Sequence, residues 1–157
     1  MAHNCKYTTV KYYDQIVSVA YRQHKADTHC NKLHGYSLSF CFHFSTNHLD
    51  VRDWGLDFGG LRPVKEFIEQ HFDHCLLVAL DDPHHDELMK LDKLGIAKVT
   101  EVEKTSSEAI ADILYEWVNT DLLPIQYQEG DRIWCTRVEV HETNANMAIR
   151  EGYRDLN

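Results

Sequence analysis

Apolar and polar positions alternate most regularly over residues 33–45. His34, Tyr36, Leu38, Phe40, Phe42 and Phe44 fall on one face, and Ser37, Ser39, His43 and Ser45 on the other. This is the period of a half-buried β-strand. Upstream, residues 16–22 place Val17, Val19 and Tyr21 together and predict a first strand. The polar stretch 23–32 joins the two as an antiparallel ribbon. Gly59 and Gly60 then break the pattern, and Pro63 suits the first turn of a helix carrying Leu61, Val64, Phe67 and Ile68 and ending near His71. Residues 81–104 read as a charged excursion with a short helix over 86–94. Thr105 and Glu108 have capping-box spacing, ahead of a helical stripe of Ile110, Ile113, Leu114, Trp117 and Val118. A strand over 132–141 follows, with Trp134, Thr136, Val138 and Val140 on one face and Glu142 continuing that parity. A last extended piece covers 146–149. The order is ββααββ. It predicts an α+β fold, a four-stranded antiparallel sheet with two helices on one face. Its open edges invite pairing between copies.

The length of 157 residues suits one domain, 1–157. A net charge of -9 argues against nucleic acid as a partner, because phosphate backbones are met by clustered Lys and Arg. No run approaches the roughly 18 apolar residues that a membrane span needs. The N-terminal residues lack the pattern of a secretory signal. Five cysteines, an odd number without a CxxC, fit a reduced, cytoplasmic setting. Cys41, Cys75 and Cys135 read as small buried apolar residues.

Five residues could carry chemistry. Cys30 and His34 flank the start of the second strand, and a thiol becomes a useful base when an imidazolium or a metal lowers its pKa. His34 opens an apolar face and needs a polar partner or a metal. Asp73 and His74 form a carboxylate–imidazole pair suited to proton transfer near neutral pH, although such pairs are also common at helix ends. Glu142, if turned inward, is costly unless something pairs with it; the paired N–H groups of a heterocycle would suffice. His84 and His85, among Asp81, Asp82, Asp86 and Glu87, read as a solvated loop, and His43 as strand surface.

These positions recur in a known order. The chain reads Val19-Ala20-Tyr21, then Cys30-Asn31-Lys32-Leu33-His34-Gly35-Tyr36. It continues with Trp54-Gly55-Leu56-Asp57-Phe58, Phe72-Asp73-His74, Thr105-Ser106-Ser107-Glu108 and Val140-His141-Glu142-Thr143. It resembles the tunnelling-fold pterin synthases, the family of 6-pyruvoyl-tetrahydropterin and 6-carboxytetrahydropterin synthases. The three residues between Cys30 and His34 favour the carboxy branch. The resemblance implies a lyase that converts 7,8-dihydroneopterin triphosphate to 6-carboxy-5,6,7,8-tetrahydropterin, as in queuosine-type 7-deazaguanine biosynthesis. The alternatives are a 6-pyruvoyl-tetrahydropterin synthase, an enzyme of a related dihydropterin, or a non-catalytic pterin or purine binder. It implies Cys30, Asp73 and His74 as catalytic residues, and Glu142, Ser107 and Thr105 as substrate-binding ones. It also implies a homo-oligomer, hexamer or tetramer, with sites at subunit interfaces.

The family holds zinc with three histidines, and only His34 matches; Tyr21 and Tyr36 stand at the other two positions. Neutral phenol is a poor zinc ligand. Three outcomes are open: a rebuilt site of His24, His29 and His34, phenolates binding a harder metal, or a lost metal. Arg22, Lys25 and Lys32 flank this region and could meet a triphosphate.

Overall fold

The computed structural model describes residues 5–153. β1 (Tyr7–Tyr21) and β2 (His34–Thr46) form a long antiparallel ribbon. After a 3-10 turn, α1 (Arg62–Phe72) leads into β3 (Cys75–Ala79), then α2 (His85–Lys93) and β4 (Lys98–Val102). α3 (Ser107–Trp117) widens into π-type turns over Val118–Gln126, and β5 (Ile133–His141) and β6 (Met147–Glu151) complete the sheet. One sheet runs β4-β3-β1-β2-β5-β6.

The α+β class is as predicted; the strand count and pairing differ. The sheet has six strands, and β1–β3 and β3–β4 run parallel. β3 is buried at all five positions, so it shows no alternation by which to read it. β4 comes out of what reads as a charged excursion, and α2 is the crossover that parallel pairing requires. β1 also begins at Tyr7, well before residue 16. A bulge hides this half: Tyr13 pairs with Phe40 and Val17 with Leu38, four steps against two. Gln15 takes φ 44° there, its amide donates to Ser39 Oγ (2.9 Å), and Ser39 donates to Asp14 Oδ1 (3.1 Å).

The core lies between the helices and one face of the sheet. Val17, Val19, Leu38, Phe40, Phe42, Phe44, Val138 and Val140 meet Val64, Ile68, Ile110 and Leu114 there. Each such side chain contributes about 1.5–3 kcal/mol on burial. A second bulge, between His43 and Phe44 of β2 and their partners on β5, turns Ile133 and Cys135 into this core. The predicted partner Thr136 instead donates to His43 O (3.2 Å) and shares a hydrogen bond with Ser45. Asn119 joins the π-type turns to β5, donating to Tyr115 O and Cys135 O and accepting from Cys135 N.

The start of α3 is set one residue later than the sequence suggests. Ser106 Oγ caps it by accepting from Ala109 N (3.1 Å). The Thr105 hydroxyl is used elsewhere: it donates to Arg22 O (2.6 Å) and fastens the end of β1 to the helix. Ser107, in the first turn, is thereby aimed at the sheet.

Candidate functional site

Tyr21 ends β1 on the core face and is fully buried. Its hydroxyl donates to Glu142 Oε1 (3.1 Å) and lies 3.5 Å from Ser107 Oγ, which donates to the same oxygen at 2.5 Å. Glu142 therefore continues the parity of β5, as the alternation predicts. Two donors converge on Oε1, and among the described residues none meets Oε2. A carboxylate so held presents a second acceptor oxygen with fixed direction.

The Tyr21, His34 and Tyr36 rings cluster beside it, with centroids 5.3–5.8 Å apart. Antiparallel register makes this meeting: Tyr21 pairs with His34, and Val19 with Tyr36. His34 Nδ1–H donates to Lys32 O (2.7 Å), so Nε2 carries the lone pair. Cys30 sits in a short 3-10 turn over His29–Asn31, where the Thr28 hydroxyl accepts from its amide. Burial, then the Glu142 carboxylate and the Cys30 thiol, push the Tyr36 phenol up, which places both groups near it. Burial and the Glu142 charge, against a bond to Ser107, push the Tyr21 phenol up further. Both phenols are neutral near pH 7, and Tyr21 has already committed its proton to Glu142. The residues at these positions do not fit zinc: one imidazole nitrogen and two neutral phenols are a poor donor set.

The rebuilt site of three histidines is not assembled either. His24 turns to the acidic loop, with Nε2 3.5 Å from Asp81 Oδ1 and Nδ1 3.8 Å from Asp82 Oδ2. His29 is exposed. Among the described residues, the group with metal-ligand spacing is Cys41, His43 and Glu139 instead.

The loop read as solvated also holds a buried charge. Asp82 is 5 % exposed, accepts from Arg22 Nε (2.8 Å) and caps the amide of His84 (2.8 Å). Lys25 pairs with Asp81. Two of the three cations proposed for a triphosphate are thus already matched by acids.

Asp73 and His74 lie at the junction of α1 and β3. Asp73 Oδ1 accepts from Ser18 N (2.9 Å), Oδ2 lies 2.9 Å from His74 Nδ1, and the His74 amide donates to Ser18 O (2.7 Å). The Ser18 amide, more than the His74 contacts, holds the Asp73 carboxyl below its ordinary range. The His74 ring is 82 % exposed and Ser18 faces away from the core, so the pair presents itself outward rather than toward Glu142.

The strand ribbon backed by helices, with an inward carboxylate just past β5 held by Ser107 at the start of α3, defines a tunnelling-fold protein of pterin-synthase type. Residues 13–152 match the 6-pyruvoyl tetrahydropterin synthase family, and the chain belongs to that family. Its fold is that of an uncharacterized protein from Wolinella succinogenes (TM-score 0.79, 21% identity, covering 94% of this chain and 98% of that one). It is also that of the 6-pyruvoyl tetrahydropterin synthases of Plasmodium falciparum (TM-score 0.65, 13% identity, 96% and 100% covered) and Caenorhabditis elegans (0.62, 18%, 94% and 96%). No curated protein matches the sequence. No helix among the described residues is long and apolar enough to cross a membrane.

Proposed function

We propose that this chain is a lyase that takes 7,8-dihydroneopterin triphosphate and one water and yields 6-carboxy-5,6,7,8-tetrahydropterin, triphosphate and a two-carbon aldehyde. The observation that carries the reading is the Glu142 carboxylate, held through Oε1 by Tyr21 and Ser107. With one oxygen fixed, the pair of acceptors matches the adjacent N–H groups of a pterin ring. Cys30, whose thiol acts on the Tyr36 phenol, takes a proton from the side-chain carbon next to the ring. The Asp73-oriented His74 moves the second proton. Because that imidazole faces outward, it serves the substrate of a neighbouring copy in a homo-oligomer. No step is assigned to a metal at Tyr21, His34 and Tyr36, since those residues do not fit one. The Tyr36 hydroxyl supplies a hydrogen bond to the side-chain oxygens in its place.

The phenol cluster favours one second reading, a pterin binder without turnover. The deciding experiment incubates the purified protein with 7,8-dihydroneopterin triphosphate, with and without added zinc, and identifies products by mass spectrometry. 6-Carboxy-tetrahydropterin supports the lyase, and 6-pyruvoyl-tetrahydropterin moves the chain to the other branch. Unchanged substrate with retained binding leaves the binder.

A further inference from the structure

The sheet face away from the core carries a constellation that the pterin reading does not use. Cys41 and His43 stand two apart on β2, and Glu139 and His141 two apart on β5. Register sets Cys41 opposite Glu139, and Ser39 opposite His141. All four side chains therefore project from the same face. Cys41 Sγ lies 3.6 Å from His43 Nε2, and His43 Nε2 lies 3.1 Å from Glu139 Oε1. His141 Nε2 lies 2.9 Å from Glu139 Oε2. The ligand atoms of Cys41, His43 and Glu139 all fall within 4.8 Å of one another.

Those separations are close to the edges of a coordination tetrahedron. A thiolate at about 2.3 Å and an imidazole at about 2.0 Å from one ion stand about 3.5 Å apart, and an imidazole and a carboxylate slightly closer. We propose that Cys41, His43 and Glu139, with His141 as a fourth donor, form a binding site for a zinc-like divalent ion, separate from the Tyr21–His34–Tyr36 cluster. The sulfur, nitrogen and oxygen set suits zinc rather than calcium or magnesium, which take oxygen alone. On binding, the metal–sulfur bond replaces the Cys41 S–H bond and the proton leaves to solvent. The His43 and His141 Nε2 lone pairs turn to the ion, and the protons they now share with Glu139 move to the other ring nitrogens.

The surroundings are those of a supported site. Arg137 Nε donates to Glu139 Oε1 (2.8 Å) and its Nη1 to Glu151 Oε1 (3.0 Å), which fixes the carboxylate. The Tyr12 ring meets His141 edge-on at 5.8 Å. A cavity of about 240 Å³ reaches His43 and another of about 260 Å³ reaches His141, so two of the four donors border open space. The second cavity also touches Glu142, which sets the ion next to the pterin anchor in the chain without sharing its ligands.

The test strips the full-length protein with chelator, then titrates it with cobalt(II) and with zinc, reading metal content by mass spectrometry and absorbance from 300 to 750 nm. We expect one ion per chain and a thiolate-to-cobalt charge-transfer band. Cys41→Ser removes the band and weakens binding at least about tenfold, and His43→Gln weakens it similarly. A His34→Ala variant keeps both ion and band. Should Cys41→Ser fail to fold, judged by near-UV circular dichroism, His43→Gln and Glu139→Gln carry the same comparison. No stoichiometric ion, a band that survives Cys41→Ser, or an ion lost with His34→Ala overturns the proposal. The readout does not depend on pterin turnover, so the two readings fail separately.

Discussion

The sheet carries two polar constellations on opposite faces, one where β1 meets β2 and one where β2 meets β5. On the core side, the positions from which the family's metal ligands would project hold Tyr21, His34 and Tyr36, and the neutral Tyr21 phenol donates to the Glu142 carboxylate. On the open side, Cys41, His43, Glu139 and His141 gather at ligand-like distances. The backbone is shared and only the parity differs. A strand thus lets the two faces vary in chemistry independently: substituting alternate residues leaves the ladder untouched. The depth of burial separates them further. Fully buried Tyr21 keeps its proton, whereas cavities on the open face reach His43 and His141.

Several substitutions set the two faces against each other. The largest effect is expected from Cys30→Ala, which should lower turnover on the order of 10²–10⁴-fold while leaving the pterin Kd nearly unchanged; equal loss of both in steady-state and equilibrium measurements would reduce Cys30 to a structural role. Glu142→Gln presents an amide donor to ring N–H groups and should weaken dihydropterin binding about 100-fold, close to 3 kcal/mol, in a fluorescence titration. Tyr21→His combined with Tyr36→His restores three imidazoles on the core side. That variant should take up an additional zinc, removed again by His34→Ala and indifferent to Cys41→Ser. Ser107→Ala removes one of the two donors to Glu142 Oε1, with an expected cost of about 1 kcal/mol, or roughly fivefold, in the same titration.

The smallest effect lies outside both faces. Asp73 has a carboxyl held below its ordinary range, first by the Ser18 amide and then by His74. Its stabilisation is therefore present above the unfolded carboxylate pKa of about 3.9 and lost as pH falls through the lower folded value. Asp73→Asn should lower Tm slightly at pH 7, and the difference from the wild type should shrink in thermal melts as pH falls through the lowered carboxyl pKa of the folded state.

The ribbon, the helix stripes and the inward turn of Glu142 could be read directly, because each depends on a local period or on parity within one strand. β3 could not, since a strand buried on both faces looks like any short apolar run. The first half of β1 was hidden by a bulge that adds residues on one side only. The Asp82–Arg22 pair and the Cys41–His43–Glu139 group escaped for another reason. Their members are 60 and 96 residues apart and meet only through strand register or loop docking, which no local pattern encodes. His24 and His29 were expected beside His34 because they are near in sequence, but the loop sends His24 to an acidic partner instead.

The double clasp at Ser18 bears on the order in which the molecule assembles. β1 and β2 are joined by a short connection and close at small entropic cost, bringing Tyr21 and His34 together early. β3 must find β1 across 55 residues, the separation of Ser18 and Asp73, and parallel strands docked over such spans form late. The loop that carries Cys30 is therefore expected to be built in the folding transition state, while Asp73 and His74 arrive on its downhill side. Substitutions at Asp73, whose carboxylate accepts from the Ser18 amide, should speed unfolding and leave the refolding rate almost untouched.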